Sequence, residues 1–323
     1  MYQSQEAQEL RIALVQFSPK FGQVEANARR AKELCSTIEP GTIDLLCFPE
    51  MILSGYVFKD SNEISPFLEL PQVGPTSQMC ASLARGLSCY VLAGYPEQLS
   101  DREISNAIST PGSSIVGANS AVLCGPNGYF IGNYRKTNLF ATDRTWAKAG
   151  SGFASFVLPP PIGKLTLGIC MDLNAQPPAD WKTRGPPYEV AEYALKEDVD
   201  VVVMLNAWLD SGEAHGNDLG DMFDWTTVEF WATRLKPLWV QGGASAKEQE
   251  DSEDEGETQG EVDACDRRTI VVICNRTGEE KGQTFAGSSA IFNMCHNSGM
   301  PRIVAIMGRR EEGVCCVVEY LPD

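Results

Sequence analysis

Leu165-Thr166-Leu167-Gly168-Ile169-Cys170-Met171-Asp172-Leu173-Asn174 reads as a strand that runs straight into a cysteine and then turns polar. A core cysteine normally sits within its strand and is followed by more apolar residues; here Asp172 and Asn174 come at once. A cysteine at a strand-to-turn corner is held in a tight backbone geometry, analogous to the nucleophile elbow that presents a serine. The N–H of the next residue, Met171, then faces a reacting carbonyl oxygen. By itself this context is only suggestive. Cys170 is one of eleven cysteines, and most of them, including Cys47, Cys89 and Cys274 inside apolar runs, read as small core residues.

Outward from this corner, strands and helices alternate. Upstream, residues 11–17 (RIALVQF), 45–48, 90–94, 104–110, 120–124, 129–134, 153–158 and 164–169 read as strands, with helices over 24–38 and 78–87. Gly125-Pro126-Asn127-Gly128 is a strong hairpin turn. Downstream, helices are expected over 188–196 and 222–235, and strands over 199–206, 238–242, 269–275, 288–293, 303–307 and 314–320. Hairpins and crossovers both occur, which suits a layered α/β fold with mixed sheets. No short-period repeat is present. Residues 247–263 (KEQEDSEDEGETQGEVD) hold nine Asp or Glu and almost nothing apolar, so they are expected to form a mobile acidic insertion. The insertion lies between two strands, and residues 1–323 are read as one domain.

Composition narrows the function. Hydrophobic content of 43% and charged content of 21% are ordinary for a globular protein. The net charge of −17 argues against nucleic acid or an anionic membrane as partner, since both are densely negative. No CxxC pair occurs, the chain has two histidines, and no phosphate loop or dinucleotide fingerprint is present, so no metal or cofactor is expected. The start, MYQSQEAQEL, has no apolar signal core and does not resemble an Arg-rich transit peptide. The cysteines are therefore expected to be reduced thiols in a cytoplasmic or nuclear protein.

Two further places carry chemistry. In Leu45-Leu46-Cys47-Phe48-Pro49-Glu50 a buried strand delivers a carboxylate at its C-terminal end, where α/β sheets place their sites. In Tyr134-Arg135-Lys136-Thr137-Asn138-Leu139-Phe140 a lysine lies between an apolar strand and an apolar patch, a placement suited to stabilising developing negative charge. Each alone has an equally good bland reading, as a strand-end surface acid and a snorkelling lysine.

Together, a glutamate after Phe48-Pro49, a lysine in Tyr134-Arg135-Lys136 and a cysteine in Gly168-Ile169-Cys170-Met171-Asp172 resemble the Glu-Lys-Cys triad of the nitrilase superfamily, the carbon–nitrogen hydrolases. The resemblance runs from Arg11 to at least Ile291, and includes residues 274–280 and 285–289, which are similar to that family's loop-strand segment near the active site. Within the superfamily, residues 168–173, 188–194 and 206–211 are most similar to the branch of fungal protein N-terminal asparagine/glutamine amidases. The resemblance implies a four-layer αββα sandwich with mixed sheets, commonly paired into αββα–αββα homodimers. It also implies deamidation of N-terminal Asn and Gln, the chemistry of an N-degron pathway, with protein or peptide N-termini as partners. One departure stands out. Many members carry a second glutamate after the lysine motif, whereas residues 141–150 (ATDRTWAKAG) have none; Asp143 is there instead, with a shorter reach, and its role is left open.

The implied mechanism is thioester chemistry. Glu50 is the general base for the Cys170 thiol, and Lys136 with the Met171 N–H holds the oxyanion. A reader of a free α-ammonium needs a carboxylate, and Asp172, two residues past the nucleophile, is the candidate. A short Asp also caps local N–H groups, and that role competes with the first. Three alternatives stand beside N-terminal deamidation: a small-molecule amidase such as an ω-amidase, a true nitrilase, and a catalytically inactive binding module acting through the acidic insertion.

Overall fold

Leu10, Ile12 and Leu14 are buried in one cluster, while Ala13 and Val15 between them are buried in another. With a side-chain period of two, such a strand is apolar on both faces and must be covered on both sides. That requirement, repeated along the chain, builds the architecture. The structure, a computed structural model, describes residues 8–108, 114–213, 222–240 and 267–321.

The first half supplies strands β1 (Gln8–Gln16), β2 (Leu45–Cys47), β3 (Tyr90–Gln98), β4 (Gly117–Cys124), β5 (Phe130–Arg135), β6 (Ala154–Val157) and β7 (Lys164–Ile169). The second supplies β8 (Val201–Asn206), β9 (Arg268–Asn275), the small hairpin β10 (Glu279–Glu280) and β11 (Gln283–Thr284), then β12 (Ala290–Cys295), β13 (Arg302–Ile306) and β14 (Gly313–Leu321). The helices are α1 (Val24–Cys35), α2 (Ser61–Ile64), α3 (Pro75–Leu87), α4 (Asp101–Ile108), α5 (Glu189–Lys196) and α6 (Trp225–Arg234). One six-stranded sheet has the order β14-β1-β2-β3-β4-β5 and the other β13-β12-β9-β8-β7-β6. In the first, β1, β2 and β3 run parallel and their flanking strands antiparallel. In the second, β7, β8 and β9 repeat that arrangement.

The sheets stack face to face. Ile12, Leu45, Leu92 and Leu123 of the first meet Leu167, Val203, Val272 and Ile291 of the second in one buried cluster. The outer face of the first sheet packs on α1 and α3 through Val15, Leu46, Val91, Ala31, Met79 and Ala84. The outer face of the second packs on α5 and α6 through Val202, Met204, Ile273, Val190, Ala194 and Trp231. Helix, sheet, sheet, helix: the layering is αββα, with mixed sheets. No described helix is long and apolar enough to cross a membrane.

Most expected elements are present, with bounds that differ from expectation by up to four residues, and the exceptions are instructive. Residues 104–110 do not form a strand; α4 occupies Asp101–Ile108. Ser100 explains it: its N–H and Oγ both meet the Glu103 carboxylate, and its Oγ accepts from the Glu103 N–H. This reciprocal capping box starts a helix. The strand expected over 238–242 gives way to a 3-10 turn at Lys236–Leu238, and residues beyond 240 lie outside the described part of the chain. The expected helix over 222–235 begins later, because the Asp224 carboxylate caps it by accepting from the Thr227 N–H. The acidic stretch 247–263 also lies outside the described residues. Among the described residues nine cysteines are free thiols, but Cys295 is disulfide-bonded, so the expectation of thiols throughout fails there.

One buried acid makes the fold pH-sensitive. Glu69, 4% exposed, receives the Thr76 N–H and hydroxyl at the start of α3. Burial pushes its carboxyl up to about 7, against the pull of the two Thr76 bonds. The folded state thus holds this proton over a range in which the unfolded chain has released it. The resulting stability is complete below the ordinary carboxylate pKa and is lost as pH rises towards 7. Glu69→Gln is expected to flatten a loss on the order of 3 kcal/mol between those limits, read from urea midpoints across pH. An unchanged profile in the variant would refute the assignment.

Candidate active site

The carboxyl ends of the parallel strands converge on one region, where open α/β sheets gather their chemistry. β2 ends at Cys47, Pro49 follows, and Glu50 is carried in over β3. The approach is close: a Cβ on Gly94 would lie 2.5 Å from the Glu50 Cα, so only glycine admits the crossing. β5 ends at Arg135 and delivers Lys136, whose N–H donates to the Asn119 carbonyl at 2.8 Å. β7 ends at Ile169 and delivers Cys170, which has φ +44° and opens a 3-10 turn, Cys170–Leu173. A left-handed non-glycine residue stores strain that the surroundings must enforce. The Cys170 N–H donates to Asn206 Oδ1 at 3.1 Å, which fixes the corner.

Glu50 and Lys136 are fully buried and in contact: Nζ donates to Glu50 Oε1 at 2.7 Å. The third member of this cluster is Asp143, also fully buried, which accepts from Nζ at 2.7 Å and from the Phe140 N–H at 2.9 Å. Asn119 of β4 clamps the two acids together, its Nδ2 donating to Glu50 Oε1 at 2.7 Å and to Asp143 Oδ1 at 2.9 Å. The Ala207 N–H, one residue past β8, donates to Glu50 Oε2 at 2.8 Å. Asp143 thus supplies a second carboxylate to Lys136, and its backbone is brought close at the 3-10 turn Asp143–Thr145.

Burial dominates the electrostatics. It raises the Glu50 carboxyl above its ordinary range, with Lys136 opposing and Asp143 adding to the rise. Burial works against the Lys136 ammonium, but Asp143 and Glu50 outweigh it and hold the amine firmly protonated. The Cys170 thiol is pushed well above its ordinary value, first by burial and then by Glu50, with Lys136 pulling the other way. An adjacent ammonium alone would favour a thiolate; here burial prevails. Cys170 therefore rests as a thiol.

Asp172 does not face the pocket. It is fully buried, and its four acceptor positions are filled: Oδ1 by the N–H groups of Thr137 (2.9 Å) and Asn138 (2.7 Å), Oδ2 by the Ile169 N–H (2.9 Å) and the Tyr134 hydroxyl (2.8 Å). The expected reading of an α-ammonium by Asp172 is therefore corrected: the residue ties the lysine loop to the cysteine corner. Asp172→Asn would set an amide N–H against backbone N–H donors. It is expected to cost roughly 2–4 kcal/mol of stability, and to lower turnover of free-amine and blocked substrates alike. Thermal melts and ammonia assays on both substrate types check this.

Cys170 lies in a cavity of about 130 Å³ with Tyr56, Phe140, Asn174, Trp181 and Trp208 among its walls. The stretches 274–280 and 285–289 brace those walls from behind. Asn275 Oδ1 accepts from the Trp208 N–H at 2.8 Å, and Glu280, paired with Arg276 at 2.6 Å, accepts from the Tyr56 N–H at 2.8 Å. Among the described residues, no group of three or more His, Cys, Asp or Glu could hold a metal ion.

Against known proteins, the sequence model of the carbon-nitrogen hydrolase family matches residues 11–176, more than half of the chain. The chain belongs to the carbon-nitrogen hydrolase family. This hydrolase is 29% identical over 320 residues to the protein N-terminal amidase of Schizosaccharomyces pombe, covering 94% of this chain and 98% of that one. Its fold is similar to that of a cysteine-to-serine variant of an N-terminal amidase, with TM-score 0.76, 19% identity, and 97% and 98% of the two chains covered. It is likewise similar to N-terminal amidase structures with Gln-Gly and Asn-Glu peptides, at TM-score 0.72, 20% identity, and 97% and 99% coverage. The Glu50, Lys136 and Cys170 motifs all fall inside the matched span. Sequence reasoning missed Asn119, which is fully buried; an amide inside the run Gly117-Ala118-Asn119-Ser120-Ala121-Val122 of small and apolar residues was the available signal.

Proposed function

We propose that this carbon–nitrogen hydrolase deamidates the N-terminal Asn or Gln of peptides and proteins, releasing ammonia. The observation that carries the reaction chemistry is the buried Glu50–Lys136–Asp143 cluster electrostatically joined to the Cys170 thiol. Glu50 takes the thiol proton as sulfur bonds to the side-chain amide carbon. The oxyanion so formed is held by the third N–H of Lys136 Nζ, whose other two serve Glu50 and Asp143, and by the Met171 N–H. When the C–N bond breaks, Glu50 returns the proton to the departing ammonia, leaving a Cys170 thioester. Water, deprotonated by Glu50, attacks the thioester; the acid leaves and the thiol is restored.

The substrate class rests on the relatives named N-terminal amidase and on the cavity's size. The cavity at Cys170, about 130 Å³ and open at its mouth, has room for a side-chain amide. An ω-amidase substrate brings a carboxylate, and none of the described residues lining this cavity carries a positive charge. The test is ammonia release from short peptides beginning with Asn or Gln, against the same peptides N-acetylated and against butyramide. Free N-termini are expected to react at least tenfold faster. Equal rates across the three would discard N-terminal deamidation in favour of a general amidase.

A further inference from the structure

The walls of the Cys170 cavity are buried or half-buried with one exception. Among the described residues that line it, Trp181 alone is exposed, at 42%. Its side chain therefore stands at the mouth, part of it against the cavity and part of it in solvent. A single exposed aromatic needs no explanation in itself; what marks this one is its place and its anchorage. The Trp181 carbonyl accepts from Nδ2 of the fully buried Asn174 at 2.9 Å. Its ring meets Phe140, another wall of the cavity, edge to face with 6.3 Å between centroids. A large flat ring held this way loses little freedom when something packs on it, and such rings carry much of the energy of peptide recognition. Lys182 also lies over the ring, with Nζ 5.3 Å from its centroid. That lysine is exposed, and a solvated cation–ring contact is weak enough for an apolar side chain to displace it.

The chemistry of the site decides what passes the mouth. With a side-chain amide against the Cys170 sulfur, the first residue occupies the cavity and the rest of the peptide leaves through the opening. The next Cα follows at about 3.8 Å, so the second residue arrives at the rim. An indole there removes that residue's apolar surface from water. We infer that Trp181 receives the side chain of the substrate's second residue, so that peptides with an aromatic or branched apolar residue at that position are turned over faster than those with glycine. This rests on the N-terminal deamidation reading and extends it by one residue.

The test measures kcat and KM for ammonia release from Gln-Phe-Ala, Gln-Leu-Ala and Gln-Gly-Ala, with N-acetylated Gln-Gly-Ala as the reference for the free amine. Wild type, Trp181→Ala and Trp181→Phe are compared, each with a thermal melt. Both substitutions keep the bond from Asn174, which is made to the main chain. Wild type is expected to favour Gln-Phe-Ala over Gln-Gly-Ala about fivefold in kcat/KM, chiefly through KM, the fold-change that one aromatic pair supplies. Trp181→Ala is expected to bring the ratio to about one, and Trp181→Phe, which keeps a ring, to hold part of it. A folded Trp181→Ala protein that slows all three peptides by one factor and keeps the wild-type ratio would overturn the role. Wild type that prefers the free amine yet ignores the second residue overturns this inference alone. Wild type that turns over the acetylated peptide equally well overturns N-terminal deamidation, and this inference with it.

Discussion

Cys170→Ala and Glu50→Gln are each expected to reduce ammonia release to background, and the double substitution is expected to do no further damage. The reason is geometric. Cys170 is a buried thiol whose proton is held tightly, so sulfur cannot attack until a base takes that proton. Glu50, whose charge also raises the thiol, is itself raised by burial, which brings its basicity closer to that of the thiol it deprotonates in the proposed mechanism. Removing either leaves the other without a task, and groups that act as a unit lose rate once, not twice; the expected loss is about 10⁵-fold or more for each. The acid limb of kcat/KM in wild type should follow the Glu50 carboxylate. Because burial raises that group, activity is expected to appear as pH climbs past a point above the ordinary carboxylate value near 4.3. Stopped assays from pH 4 to 8, with alkylation of Cys170 as a parallel readout, test both parts. An additive double variant, or Glu50→Gln with an alkylation rate equal to wild type, would dissolve the pairing.

The order Glu50, Lys136, Cys170 was legible because each residue comes within three positions of the end of a strand, and strand ends are visible in a single sequence. The αββα layering needed the resemblance, since period-two burial announces a covered strand without saying which sheet covers it. β14 illustrates the limit: it pairs with β1 across nearly the whole chain, from Gln8 opposite Leu321 to Gln16 opposite Gly313. Asp172 was misplaced for a related reason. A carboxylate two residues from a nucleophile looks accessible on paper, but its four donors come from residues 134–138 and from Ile169, and only the folded loop brings the first group there. Ser100 and Glu103 were legible as a capping box and were read past in favour of a strand.

Lys136→Met is expected to be damaging in two separable ways. The ammonium is wholly buried between Glu50 and Asp143, each 2.7 Å away, and methionine fills most of its volume without its charge. Two carboxyls are then left bridged by Asn119 alone, and adjacent like charges in a buried site cannot both remain ionised, so one must take up a proton. Breaking a buried pair by removing one partner costs roughly 3–5 kcal/mol. Turnover should fall a hundredfold or more from loss of the oxyanion donor, with a further loss because Glu50 is driven towards its protonated form. Adding Asp143→Asn separates the two. It removes the second carboxyl, so it should restore part of the lost stability and leave the catalytic defect in place. Urea midpoints and kcat measured on Lys136→Met and on the double variant decide it. Recovery of both together would mean that Lys136 supports the fold and not the oxyanion. Recovery of neither would mean that Asp143 adds nothing to the charge burden the lysine now balances.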